Sequence, residues 1–330
     1  MYLGVDGTLA LLTRSADLIQ AEYTSLIEDI RVWVDRGDAN PGEDLRHTLD
    51  TLGCRGKRLG VELEAYSLTG RRWDMVRHAL EGLCTLVDAS DVVQRFRVIK
   101  SEAELDYVKR AAVLADDALE AAYANVKPGV SEGHLFAVMN AAVFEGGGDY
   151  TGSRFIIGCG EGALLIRNFT GRETIGDNDQ IQLEFGAAYR HYHACLMRTA
   201  LTGRVNAQHR AMHAACVDAL AACQEVCTPG KLVGDVFDAH ARVFDAAGYR
   251  EYRLNACGYS LSANYPPSWM EQPMFFAGST TVIEPSMVFF MHMILLDNAK
   301  KLTMSLGETG IVTPSGFQRL SRMSHDLCVN

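Results

Sequence analysis

The chain has no basic surplus, no long apolar run and no cysteine framework, and each absence removes a class of function. Its 31 lysines and arginines are outnumbered by 41 aspartates and glutamates, a formal net charge of −10. Nucleic acid and anionic membrane surfaces both call for a basic face, so neither is an expected partner. No apolar run approaches the roughly 18 residues of a membrane span. The N-terminus, "MYLGVDGTLALL", lacks the basic start, long apolar core and small-residue cleavage site of a secretory leader. Nine cysteines, an odd number, fall at no framework spacing; a reduced cytoplasmic protein is the simplest reading. Small molecules and proteins remain as partners. At 330 residues, 48% hydrophobic and 22% charged, the chain suffices for one large domain and a smaller one.

Two glycine motifs also lack what their chemistry requires. "GCGEG", Gly158 to Gly162, is followed by no helix start to hold a pyrophosphate and by no acid at the expected offset, so it reads as a bend between strands. "EGGGD" around Gly147 lacks the Lys-Ser/Thr of a phosphate-binding loop.

Residues 1–99 read as a small α/β domain. "TRSADLIQAEY" and "NPGEDLRHTLDTLG" look helical, "KRLGVELEAYSLTGRRWDMVRHAL" gives a strand then a helix, and "TLVDASDVVQRFRVIK" closes with extended apolar residues. Residues 100–330 read as α+β. Ser101 with an acid three residues on is a capping box that opens a long helix. A second helix, a strand over "RFIIGC" and a hairpin over "QIQLEFGAAYRHYHACLMRTALTG" follow, then two more helices and further strands. Two helix pairs, each followed by antiparallel strands, point to an internal duplication that no residue-level repeat supports.

Within the hairpin, Glu184 stands between Leu183 and Phe185 in an otherwise apolar strand. A carboxylate there needs a partner, because an unpaired buried charge is expensive, and functional use is favoured. His191, His193 and Cys195 alternate at period two and so share a face; zinc ligation and solvated histidines are the two readings. Cys216, Cys223 and Cys227 are better explained by small residues packing a helix than by a metal. "NACGYSLSANYPPSWMEQPMFF" gathers Tyr259, Tyr265 and Trp269 in a span with neither helical nor strand periodicity. Aromatic faces hold organic cations well, and a hydrophobic lid or a dimer contact is the competing reading. His292 is nearly the only polar residue of "MVFFMHMILLD".

The order of an α/β domain, "RVIKSEAELDYVKRAA", the "LEFG" hairpin and "EPSMVFF" resembles the pita-bread family of aminopeptidase P, prolidase, methionine aminopeptidase and creatinase. The resemblance covers essentially the whole chain, with a small domain shorter at its N-terminus than is usual. It implies a pita-bread C-terminal domain and, in metallopeptidase members, five side chains that bind two metal ions. At those positions this sequence has Glu184, Cys195, Tyr259, His292 and either Gly307 or Glu308. Such a set cannot assemble an oxygen-rich dinuclear centre, so no metal and no other cofactor is expected. The finer resemblance, through "GYSLSANYPPSWMEQPM", "TRSADLIQAEYTSLIEDIRVW" and "LEAYSLTGRRW", is to the ectoine hydrolase subfamily.

That resemblance implies metal-independent opening of a cyclic amidine, with ectoine as the zwitterionic substrate and a homodimer as the assembly. Glu184 would face the amidinium as nucleophile, the favoured role, or as general base. His292 would be the acid, Tyr259 a donor to the developing charge and His193 the alternative proton carrier. Trp269, Tyr265, Met270 and Cys195 would line the substrate, and Arg167, with Arg198 as competitor, would take its carboxylate. The alternatives are a metal-dependent Xaa-Pro peptidase and an inactive pita-bread binding module.

Overall fold

The computed structural model describes residues 1–168 and 171–330. The chain divides into two compact units, Met1–Val93 and Gln94–Asn330. In the first, strands β1 (Tyr2–Leu3), β2 (Leu9–Arg14) and β3 (Ile30–Trp33) form one small sheet, and β4 (Arg58–Val61) and β5 (Thr85–Asp88) pair in parallel. Helix α1 (Leu18–Thr24) lies between β2 and β3 in the chain, and α2 (Pro41–Thr51) and α3 (Gly70–Ala79) accompany the second pair. The stretch expected to close this region in extended form instead turns into a short helix, α4 (Val92–Arg97), after β5.

The second unit is the pita-bread fold, α+β as expected. Helices α5 (Glu102–Asn125) and α6 (Glu132–Glu145) precede strands β6 (Ile156–Cys159), β7 (Gln180–Tyr189) and β8 (Tyr192–Leu201). Helices α7 (Ala207–Val226) and α8 (Val233–Ala246) precede β9 (Ala256–Ser260), β10 (Glu271–Phe276), β11 (Val288–Asp297), β12 (Leu302–Thr313) and β13 (Gly316–Arg319). The Ser101 hydroxyl accepts the Glu104 N–H and the Glu104 carboxylate accepts from the Ser101 N–H, so the capping box that opens α5 is real. Gly160–Leu164 is a single 3-10 turn, as a bend after β6 requires.

The main sheet runs β10-β9-β11-β12-β8-β7-β6, with the two helix pairs repeating the same unit on either side of its centre. A residue-level repeat does underlie the duplication. "KPGVSEGHLF" and "TPGKLVGDVF" share Pro-Gly, a second Gly four residues on and a Phe three residues later. Gly129 and Gly230 both take positive φ, 84° and 87°, and donate to Ile175 and Ile283. A Cβ on Gly133 or Gly234 would lie 3.0 or 2.7 Å from a facing backbone oxygen, which explains the second glycine. Five differing residues between these anchors hide the match from a sequence reading.

Strand alternation assigns the two faces of the sheet. Ile181, Leu183, Phe185 and Ala187 pack with α5 and α6, and Phe289, Met291, Met293 and Leu295 pack with α7 and α8. The buried cysteines of α7, Cys216 and Cys223, belong to this second core, with Cys227 just beyond the helix. On the opposite face, in register, stand Glu184, Met197, Gly307 and His292 in one row across β7, β8, β12 and β11.

The halves meet where β8 lies beside β12, and only Arg198↔Leu306 and Met197↔Gly307 are in register there. Side chains stitch the rest. Thr309 Oγ1 accepts from the Cys195 N–H and donates to its carbonyl, 2.8 Å each; Thr199 Oγ1 accepts from the Ser305 N–H at 2.8 Å; Gln180 Oε1 accepts from the Thr303 N–H at 2.9 Å. Beneath the row, on the helix side, Arg198 donates to the carbonyls of Met197 (2.9 Å) and Gly307 (2.7 Å) and forms a buried ion pair with Glu308. Glu308→Ala leaves that guanidinium buried without its charge partner and is expected to destabilise the protein by about 3–5 kcal/mol. Urea unfolding measures this, and a loss below about 1 kcal/mol would mean that water replaces the carboxylate.

Candidate active site

Strand β7 carries polar and small residues on one face, Gln180, Gln182, Glu184 and Gly186, and this alternation turns Glu184 away from the helices. Its side chain is buried. Burial pushes its carboxyl up to about 7, and the Arg167 charge pulls in the opposite direction. Arg167, on the loop after β6, is exposed; one guanidinium nitrogen lies 3.9 Å from Met270 Sδ, and its charge also reaches Tyr259 and His292. It forms no ion pair with Glu184 among the described residues.

The aromatic residues converge from β9 and the loop that follows it. Trp269 Nε1 donates to Tyr259 Oη at 2.8 Å, which leaves the phenol's own proton free to be donated elsewhere. Tyr259 lies 5.5 Å from Phe290 and 5.7 Å from His292, ring centre to ring centre. A Cβ on Gly186 would come within 2.8 Å of Cys195 Sγ and 3.3 Å of the indole, so glycine there lets Trp269 lie against the strand. His292 is buried and its Nδ1 has no hydrogen-bond partner among the described residues. Burial, aided by the Arg167 charge, holds it down to about 4, so it enters any neutral-pH reaction uncharged. As an acid it can pass on a proton it has received but holds none in reserve, which narrows the role expected for it.

Other expected residues lie elsewhere. His191 is not in a strand: Arg190 and His191, at φ 50° and 65°, form the two-residue turn between β7 and β8, so the alternation that put His191 on one face with His193 and Cys195 fails. Tyr265 is 65% exposed and stacks on His191 at 4.5 Å, apart from Glu184. His193 is fully buried, with Nε2 accepting from the Gly152 N–H at 2.8 Å. Its Nδ1 lies 3.2 Å from the Ser262 carbonyl, so both ring nitrogens are engaged and it ties two loops to the hairpin rather than carrying protons. Arg198 faces the helices and is committed to Glu308. Met197 and Phe290, which floor the site with Gly307, are not among the residues expected from sequence; the period-two patterns of β8 and β11 are the available signal.

Residues 106–319 match the metallopeptidase family M24, and residues 1–99 match the creatinase/prolidase N-terminal domain. The chain belongs to the M24 family. It is 29% identical over 251 residues to the uncharacterized hydrolase/peptidase y4tL of Sinorhizobium fredii, covering 74% of this chain and 62% of that protein's length. It is 24% identical to the ectoine hydrolase of Halomonas elongata, over 90% of this chain and 76% of that one. The fold of the prolidase from Thermococcus sibiricus superposes with a TM-score of 0.86 at 18% identity, over 97% and 84% of the two chains.

Metallopeptidase members of this family imply a metal centre, and the donors here do not fit one. Register decides the position left open by sequence: Gly307 lies in the row with Glu184 and His292, whereas Glu308 faces the helices. Burial raises the Cys195 thiol and the Tyr259 phenol well above their usual ranges, and a neutral thiol and phenol replace hard carboxylate donors there. A Cβ at Gly307 would lie 2.7 Å from the Phe290 ring and 2.8 Å from Met197 Cβ. Among the described residues no three His, Cys, Asp or Glu side chains are grouped to hold a metal ion.

A carboxyl raised from its usual 4.5 to about 7 binds its proton more tightly in the folded protein. Its stabilising contribution is therefore complete below pH 4.5 and lost as pH rises through 7. Glu184→Gln removes that loss, so above pH 7 the variant is expected to be more stable than wild type by on the order of 3 kcal/mol, with no difference below pH 4.5. Urea unfolding of both proteins across pH 4–9 tests this; parallel curves would mean that the carboxyl is solvated. His292 is common to both proteins and cancels in the difference.

Proposed function

We propose that this member of a hydrolase family opens a C–N bond in a small zwitterion with a delocalised cation, a cyclic amidine of the ectoine type, without a resident metal. The observation that carries the reading is Glu184, a buried carboxylate that forms no ion pair among the described residues, on the sheet face that also carries His292 and Tyr259 and within reach of the Arg167 charge. Such a group is complementary to an amidinium, and Arg167 to the carboxylate of the same small molecule. The likeness to the ectoine hydrolase of Halomonas elongata supports the same substrate class.

An amidinium carbon is electrophilic because the cation is already on it. Its positive charge beside Glu184 favours the ionised carboxylate. Glu184 then takes a proton from water as the water oxygen bonds to that carbon and one C–N π pair returns to nitrogen. The resulting carboxylic acid protonates a ring nitrogen, the C–N bond breaks toward that nitrogen, and the hydroxyl proton returns to Glu184 as the amide carbonyl forms. Tyr259 donates to the developing oxygen, and His292 relays the proton that the freed amine finally takes up. One carboxylate that takes the proton from water and returns it to the leaving nitrogen serves both transfers, so general base is preferred to nucleophile. From ectoine the product is an N-acetylated 2,4-diaminobutyrate.

Ring opening of ectoine followed by proton NMR is expected to proceed equally before and after prolonged EDTA treatment. Glu184→Gln should reduce turnover by about 10²–10⁴-fold, the usual worth of a general base, whereas Cys195→Ala should change it by less than about threefold, within the range of an energetically minor contact. Activity on Xaa-Pro peptides that depends on added manganese, with none on ectoine, would replace this reading with a metallopeptidase.

A further inference from the structure

The center of the site face contains a residue with no part in the chemistry above. Phe290 is fully buried, paired with Tyr259 on one side and Thr309 on the other, and its ring leans over Gly307. Cζ and Cε2 lie 2.7 and 2.9 Å from where a Gly307 Cβ would be. Gly307 is the one position of the Glu184–Met197–Gly307–His292 row without a side chain. The space above it, between the proposed base and His292, is therefore taken by an aromatic ring from the adjacent row. Glu184 and Gly307 are two strands apart, roughly 10 Å, so the ring stands at the distance a ligand would extend from the carboxylate.

We infer that Phe290, seated on Gly307, is the residue that limits the size of the organic cation this site accepts. The inference rests on the proposed function, because it takes Glu184 as the cation's partner. Ligands no larger than a small amidinium fit above Met197, and a planar substituent directed toward His292 collides with the ring. Truncating Phe290 leaves an apolar space of about one benzene ring beside Gly307, and spaces of that kind bind aromatic rings. Gly307 is part of the device, since any side chain there would expel Phe290 from its seat.

The test is a gain of binding, which misfolding cannot mimic. Acetamidinium and benzamidinium are titrated into wild-type chain and Phe290→Ala by calorimetry, with thermal melts to establish that both are folded. Wild type is expected to bind acetamidinium and to discriminate against benzamidinium. Phe290→Ala should bind benzamidinium at least about tenfold more tightly than wild type does, while acetamidinium affinity changes less than about threefold; a tenfold gain is about 1.4 kcal/mol. If the alanine variant does not fold, Phe290→Leu replaces it, with a smaller gain in the same direction. Equal benzamidinium affinity in folded wild type and variant, with acetamidinium bound by both, overturns the inference and leaves the proposed function standing. Wild type that binds neither cation removes Glu184 as a cation partner, and both readings fall together.

Discussion

The site depends on the junction of β8 with β12. Two halves of a duplicated fold meet there over two register pairs, and polar side chains supply the remaining connections. Glu184 belongs to one half and His292 to the other, so their separation is set by this junction and not by either half's own packing. Arg198 is suited to the task because a planar guanidinium can donate to two carbonyls and a carboxylate at once. The charge is costly to bury and would be costlier unpaired, which is why Glu308 accompanies it.

The same row that positions Glu184 also makes it unstable as an anion. Apolar and aromatic neighbours raise its carboxyl, and Arg167 offsets only part of that without forming an ion pair. A site in this condition gains by taking up a cation, because ligand charge replaces missing solvation. His292 is shifted the other way by the same burial and stays neutral.

Much of this was legible from local rules. The capping box at Ser101, the hairpin around Glu184, the bend after "GC" and the two helix pairs follow from capping chemistry, periodicity and turn residues. The pita-bread class followed from the order of motifs. Where the reading failed, the cause was local ambiguity. A period-two count ran through Arg190 and His191 because nothing in "YRHYH" marks a positive-φ turn, which usually takes glycine or asparagine. "VVQRFR" is as compatible with a strand as with the short helix it forms.

By itself the sequence determined the set of side chains present: one acid between apolar residues of a hairpin strand, a histidine in an apolar strand and an aromatic loop. It also determined which of them share a face along any one strand, because alternation is a property of the chain. Tertiary structure alone decided which strands lie side by side. Register across β8 and β12 brought Gly307 rather than Glu308 to the site and turned Arg198 away from it; register across β9, β11 and β12 set Phe290 beside Tyr259 with its ring over Gly307. The first of those choices depends on contacts between residues about a hundred positions apart, and the shifts of Glu184 and His292 depend on burial, neither of which a strand carries within itself.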